Sequence, residues 1–238
     1  MQVIKSIYID HMGSDLSIVN AARVSYGKIS SWETYEEYAC PNWPECDMMG
    51  CHDDTYYELS KRDTKLINYL AKHKHTSPFG HAFATFHVTA PVFVARQLVK
   101  HKFLRWNEIS RRYVSTEPKY FEPTTWRARV HDKKQGSSES TIISDIHIST
   151  TLDYVTSLYK HLLDSGVCEE QARMVLPQNT MTEWYWSGSL DAFADMCKLR
   201  CSKYTQYETR TVANQINTKM SELFPVSWEA LTKENTDD

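Results

Sequence analysis

The reactive chemistry of this chain concentrates in fourteen consecutive residues, Lys100 to Tyr113. Five Lys or Arg side chains (Lys100, Lys102, Arg105, Arg111, Arg112) share the segment with His101, the carboxylate of Glu108 and the neutral polar Asn107 and Ser110. That density of positive charge calls for an anionic ligand or for extensive solvation. Phosphate is commonly gripped either by a glycine-rich loop or by arginines. The chain has 7 Gly and neither a GxxxxGK nor a GxGxxG pattern, so the arginine route is the one open to it. Arg112, Arg173 and Arg200 are the candidates, with Arg96, Lys100 and Lys102 behind them. Arg173 stands out because Met174, Val175 and Leu176 follow it in a predicted short helix from Glu169 to Leu176, and a buried cation demands a charged partner. Asn107, Glu108, Ser110 and Arg112 offer acceptors, an amide and a cation within one turn or hairpin. Such a set suits a sugar and a phosphate, although an ordinary polar turn carries the same residue types.

Metal chemistry is less well supported. His73, His75, His81, His87 and His101 crowd a short stretch without an HExxH or other spaced pair, so they are expected in the core or at the surface rather than around a catalytic zinc. Cys40, Cys46, Cys51 and His52 form the one plausible structural zinc cluster, but it lacks a CxxC knuckle and no metal is expected. Cys197 and Cys201 stand four apart and are expected as packed thiols on one helix face. Six cysteines in 238 residues are too few for a disulfide scaffold, which points to reduced thiols and a cytoplasmic setting. The net charge of -3 argues against a nucleic-acid partner, and the longest apolar runs, such as Ala90 to Ala95, fall far short of the ~20 residues of a membrane span.

The elements that must position these groups are partly legible. Val3, Ile4, Ile7 and Ile9 predict a strand, and Ser14 caps a helix striped by Leu16, Val19 and Ala22. Residues 31–57, aromatic, acidic and cysteine-bearing with Pro41, Pro44 and Gly50, read as a long irregular surface insertion into a single domain spanning 1–238. Ser60 caps a helix carrying Leu66, Ile67 and Leu70. Ala82 to Val88 predicts a strand, and Pro91 opens a helix running to about His101. On that helix Val92, Ala95 and Val99 are expected to pack, leaving Arg96, Gln97, Lys100 and His101 to bind. A loop is expected over His131 to Ser140, then an amphipathic helix through Leu152, Val155, Leu158, Tyr159 and Leu162 ended by Gly166. Ser187-Gly188-Ser189 prefaces a mostly helical final third.

Lys100 to Tyr113 resembles the signature of the flavin-dependent thymidylate synthases, the ThyX family, RHRxxSxNExSxRY. His101, Asn107, Glu108, Ser110, Arg112 and Tyr113 match it, while Lys100 and Lys102 replace its flanking arginines and Arg105 its first serine. The resemblance continues, in order, through Ala21-Ala22-Arg23-Val24-Ser25, His75-Thr76-Ser77-Pro78-Phe79, Phe86-His87-Val88, Ala90 to Gln97, Ala172-Arg173-Met174-Val175-Leu176-Pro177 and Leu199-Arg200. It covers most of the chain apart from residues 31–57.

The resemblance implies an α+β fold, a mixed and largely antiparallel sheet flanked by helices, assembled as a homotetramer with active sites between subunits. It implies reductive methylation of dUMP to dTMP with FAD, NADPH and methylenetetrahydrofolate. Carried over by position, Gln97, Glu108, Ser110, Arg111, Arg112, Arg173 and Arg200 hold dUMP, with Arg112 and Arg173 near the phosphate and Arg200 facing the pyrimidine. Arg200, Ser110 and Glu108 carry the catalytic roles. FAD falls to Ser77, Lys100, His101, Lys102, Asn107, Glu108, Ser189, Asp195 and Tyr204. Departures gather on this flavin side: Ser189 and Asp195 stand where the family commonly has Asn, Tyr204 where it often has His, and Gly80 where an acidic residue is common. Two other readings compete with this one. A divergent relative would modify another pyrimidine deoxynucleotide such as dCMP, and a module without catalysis would bind nucleotide or nucleic acid.

Overall fold

The computed structural model describes residues 3–38, 53–130, 136–142 and 146–233. The chain opens with β1 (Lys5–Met12), α1 (Asp15–Arg23), β2 (Glu33–Tyr38), β3 (Asp53–Glu58), α2 (Lys61–Lys72), β4 (Phe83–Pro91) and α3 (Val92–Leu98). It continues through β5 (Leu104–Glu108), β6 (Trp126–Arg129), β7 (Ser137–Ile142), α4 (Ser149–Asp164), α5 (Glu169–Ala172) and β8 (Met181–Ser189). Three helices close it: α6 (Leu190–Arg200), α7 (Tyr207–Leu223) and α8 (Pro225–Thr232).

The core sheet has the order β1-β4-β8-β5, and each of its three pairings is antiparallel. In β4 the residues Ala84, Phe86, Val88 and Ala90 are buried in strict alternation, the pattern of a strand with one face on the core. β8 repeats that pattern with Thr182, Trp184, Trp186 and Gly188. Phe193 of α6 packs edge-on against Phe86 at 5.4 Å and Trp186 at 5.5 Å, which fastens the helical layer to the sheet. Ile18, Ile67, Met196, Ile216, Met220 and Trp228 from five helices, with Phe224 between the last two, complete the same core.

β8 is one element that the sequence reading missed, although Thr182, Trp184 and Trp186 carry a period-two signal. Gly188 near its end has a close-packing reason: a Cβ there would meet the Phe103 carbonyl oxygen at 3.2 Å and Leu104 Cδ2 at 2.3 Å. A side chain there would push Leu104 aside and crowd the Phe103 carbonyl at the start of β5.

Other expectations need correction. α3 ends at Leu98, and Val94, Ala95 and Leu98 are its buried residues, while Val99 is exposed beyond the last turn. Asn107 and Glu108, expected within one turn or hairpin, lie in β5, paired in register with Tyr185 and Trp184. Ser137 to Ile142 forms β7 against β6 where a loop was expected. The ends of the 31–57 segment pair as the antiparallel β2 and β3, with Glu33 opposite Glu58. Cys40, Cys46, Cys51 and His52 lie outside the described residues. The Ser60 cap accepts the Asp63 amide at 3.1 Å, and Gly166 closes α4 with φ +83, both as expected.

Candidate functional site

Two polar clusters sit at opposite ends of β5. At the first, α3 brings Gln97 and the turn after it brings His101 against the C-terminal end of α6. There Arg200 Nε donates to His101 Nε2 at 2.9 Å, and Arg200 Nη2 donates to the Gln97 carbonyl at 3.3 Å. The Gln97 side-chain amide in turn donates to Gln206 Oε1, just before α7. An imidazole that accepts at Nε2 carries its proton on Nδ1, so His101 is neutral in this arrangement. Burial first, and then the neighbouring Arg200 charge, hold the imidazole below its usual range, with Asp195 pulling the other way. Burial also lowers Arg200, which remains charged at neutral pH. With two of its five N–H bonds spent on fixed acceptors, the guanidinium presents the rest in a set direction.

Phe103 follows this cluster at φ +64, a left-handed conformation that is costly for a bulky side chain, and it is exposed. Lys100 and Lys102 are exposed on either side of His101. Nearby runs a cavity of about 1110 Å³ whose walls include Asp195, Tyr204, Lys74, Lys198 and Lys203. Ser77 lines a separate cavity of about 700 Å³ with Arg23, Arg62, Tyr69 and His75. Ser189 is the last residue of β8 and caps α6.

The second cluster lies where β5 runs out, four residues and roughly 14 Å from its start at ~3.4 Å per residue. Glu108 is exposed there, Arg112 N–H donates to Ser110 Oγ at 3.3 Å, and the Arg112 guanidinium donates to the Tyr113 hydroxyl at 3.0 Å. Arg111 folds back to donate to the Thr116 carbonyl, which closes the turn. Across from it, Glu170 of α5 meets Arg112 at 3.6 Å and gives its carbonyl oxygen to Arg173 Nε at 3.4 Å. The structure thus gathers Arg112 and Arg173 around one residue. Arg173 is exposed rather than buried, because the helix breaks after Ala172 into a tighter turn over Arg173–Val175 that leaves Met174 77% exposed. Thr182, Gln206 and Glu170 touch Glu108, Gln97 and Arg112 and were absent from the sequence reading; each is a partner recruited across the fold.

Not every block singled out by sequence lies at these clusters. Arg23 is tied to Asp63, which also accepts from Ser30 Oγ at 3.1 Å and Ser60 Oγ at 2.8 Å. Burial raises the Asp63 carboxyl, but the Arg23, Ser60 and Ser30 hydrogen bonds outweigh it and the net shift is downward. Cys197 is buried and donates to the Ala213 carbonyl at 3.7 Å, as a packed thiol. Among the described residues no group of His, Cys, Asp or Glu is placed to hold a metal ion, and no helix is long and apolar enough to cross a membrane.

The family model described as Thymidylate synthase complementing protein matches residues 8–226. The chain is 36% identical over 225 residues to the flavin-dependent thymidylate synthase of Thermus thermophilus, covering 93% of this chain and 73% of that protein. To the flavin-dependent thymidylate synthase of Thermosipho africanus it is 32% identical over 233 residues, 94% of this chain and 89% of the other. Its fold is similar to a crystal structure of the UMP/dUMP methylase PolB from Streptomyces cacaoi bound with 5-Br dUMP. That likeness has a TM-score of 0.74 and 28% sequence identity, covering 98% of this chain and 96% of that one. With the signature residues deployed at the two ends of β5 and the match running through nearly the whole chain, this protein belongs to the family of the flavin-dependent thymidylate synthases.

Proposed function

We propose that this protein converts dUMP to dTMP by reductive methylation, with FAD as cofactor, methylenetetrahydrofolate as carbon donor and NADPH as reductant. The observation that carries the proposal is the tethered guanidinium of Arg200, whose unspent N–H groups point away from His101 and the Gln97 carbonyl. Donors set beside O4 and N3 of a uracil favour negative charge on the ring. That raises electron density at C5 without a covalent cysteine adduct. Cytosine suits this arrangement less well, because its N4 amino group is itself a donor.

Arg112 and Arg173 hold the phosphate in this reading, as exposed cations that converge on Glu170. Glu108, Ser110 and Gln97 take the sugar and base, and Arg111 shapes the turn between them. The proposed assembly is a homotetramer with active sites between subunits, one subunit supplying the Arg200 end and another the Glu108 end. The whole chain then works as one domain, with residues 31–57 as an insertion.

The residues fit a flavin nucleotide. Diphosphate needs cations, supplied by Lys100 and Lys102 and by Lys74, Lys198 and Lys203 on the cavity wall, while Tyr204 gives an aromatic face and Asp195 an acceptor for a ring N–H. Ser77, His101, Asn107 and Ser189 complete the proposed contacts. When bound, the flavin supplies hydride to the transferred carbon. Lysine in place of arginine keeps the charge and gives up the planar fork, so orientation of the cofactor rests more on Tyr204 and Asp195.

The test is direct. Purified protein should absorb between about 350 and 500 nm, as flavins do. It should form dTMP from dUMP when NADPH and methylenetetrahydrofolate are present. Colourless protein that stays inactive with added FAD would overturn the proposal.

A further inference from the structure

Glu108 is held from both sides by groups that the signature does not include. Its Oε1 accepts the Thr182 hydroxyl at 2.6 Å, and its Oε2 accepts the Trp106 indole N–H at 3.1 Å. Both donors are themselves immobilised. Thr182 is 7% exposed on β8, and Trp106 is stacked on Trp184 at 4.2 Å and set edge-on to Trp186 at 5.7 Å. The arrangement follows from register. Trp106 lies opposite Trp186 and Glu108 opposite Trp184, so Thr182, two residues along β8, is the diagonal neighbour of Glu108 on the same face. An ionised carboxylate has about four lone-pair sites. Two are spent on these donors, and the exposed side of Glu108 leaves the remainder open to a ligand.

We propose that Thr182 and Trp106 are positioning residues that orient the Glu108 carboxylate in advance as an acceptor for the nucleotide's donor groups. The inference rests on the reading of Glu108 as a dUMP contact. A glutamate side chain left free would have to be frozen when the nucleotide arrives, and the clamp removes that cost beforehand. Trp106 does this with a ring that also packs, so the position combines a core role with a donor role.

The experiment uses the intact flavin-loaded protein and three variants. Thr182→Val keeps the shape and removes the donor, Thr182→Ser keeps the donor, and Trp106→Phe keeps an aromatic ring without its N–H. The dUMP dissociation constant should rise about tenfold in Thr182→Val and about threefold in Trp106→Phe, as expected for hydrogen bonds to a charged group. Thr182→Ser should bind dUMP within about twofold of the native protein, and all three should keep the flavin spectrum. Native affinity in Thr182→Val, or equal losses in Thr182→Val and Thr182→Ser, would overturn the proposal. A second readout needs no nucleotide: the indole N–H resonance absent from Trp106→Phe should move in Glu108→Gln, and an unmoved resonance also overturns the clamp. If the native protein binds no dUMP at all, the proposed function fails, and this resonance still decides whether the clamp exists.

Discussion

The two ends of β5 use arginine in opposite ways. Arg200 is partly buried, bonded to a neutral imidazole and a backbone carbonyl, and cannot choose its direction. Arg112 and Arg173 stand in solvent around Glu170, with Arg112 side-chain exposure at 45% and Glu170 at 62%. The difference matches two tasks. A group that stabilises charge developing on a ring must be fixed before the reaction begins, since reorganising it during the step forfeits the gain. A group that captures a phosphate dianion needs charge and reach, and tolerates water.

The largest expected effect comes from breaking the fixed end. Arg200→Ala should lower kcat by about 10²–10³, the range for loss of a preorganised charge-stabilising donor. Arg200→Lys should also fail to restore full turnover, because a point charge cannot bond both His101 and the Gln97 carbonyl in the same plane. Single-turnover formation of dTMP measures both.

At the open end the loss should fall on binding. Arg112→Ala and Arg173→Ala should each raise the KM for dUMP about tenfold with kcat largely kept. The double variant should lose less than the product of the two, since in the proposed function both arginines act on one phosphate. Rising ionic strength should weaken dUMP binding through the same pair, as screening acts on exposed charges. A kcat defect as large as that of Arg200→Ala would erase the distinction between the two ends.

Acid should act at the fixed end. The unfolded His101 pKa is about 6.5 and burial lowers the folded one, so on acidification the unfolded state takes up the proton first. Stability from this group is therefore complete above about pH 6.5 and is lost progressively as pH falls toward the lowered folded value. Below that value an imidazolium cannot accept from Arg200 Nε. His101→Gln, which keeps an acceptor and does not titrate, should show a smaller fall in Tm between about pH 7.5 and 5.5. An unchanged slope would show that His101 does not carry the acid loss.

The smallest effect belongs to Glu170. Its pair with Arg112 is exposed, and such pairs contribute ~0–1 kcal/mol. Glu170→Gln should leave Tm within about one or two degrees and lower the KM for dUMP by less than about threefold, because a competing carboxylate is removed.

Much of the local structure was legible from sequence because its cause is local. Ser60 and Asp63 meet within one turn, Gly166 supplies a positive φ, and the alternation of Ala84, Phe86 and Val88 has only one sensible use. The misses share a cause as well. Arg173 reads as buried because its neighbours are apolar, yet the turn after Ala172 leaves Arg173 and Met174 exposed. Asn107 and Glu108 read as part of a turn or hairpin because their types are polar, yet pairing with β8 holds them extended.

By itself the sequence determined which functional groups exist: the Glu108-x-Ser110-x-Arg112 spacing, the lone arginine at the end of α6, and the lysines around His101. Those follow from residue identity and short-range spacing. Only the tertiary structure decided which groups meet. Arg200 reaches His101 across 99 residues and Thr182 reaches Glu108 across 74. Such contacts come from the antiparallel register of β5 on β8 and the packing of α6 on the sheet, and no local pattern encodes a register set by strands so distant in the chain.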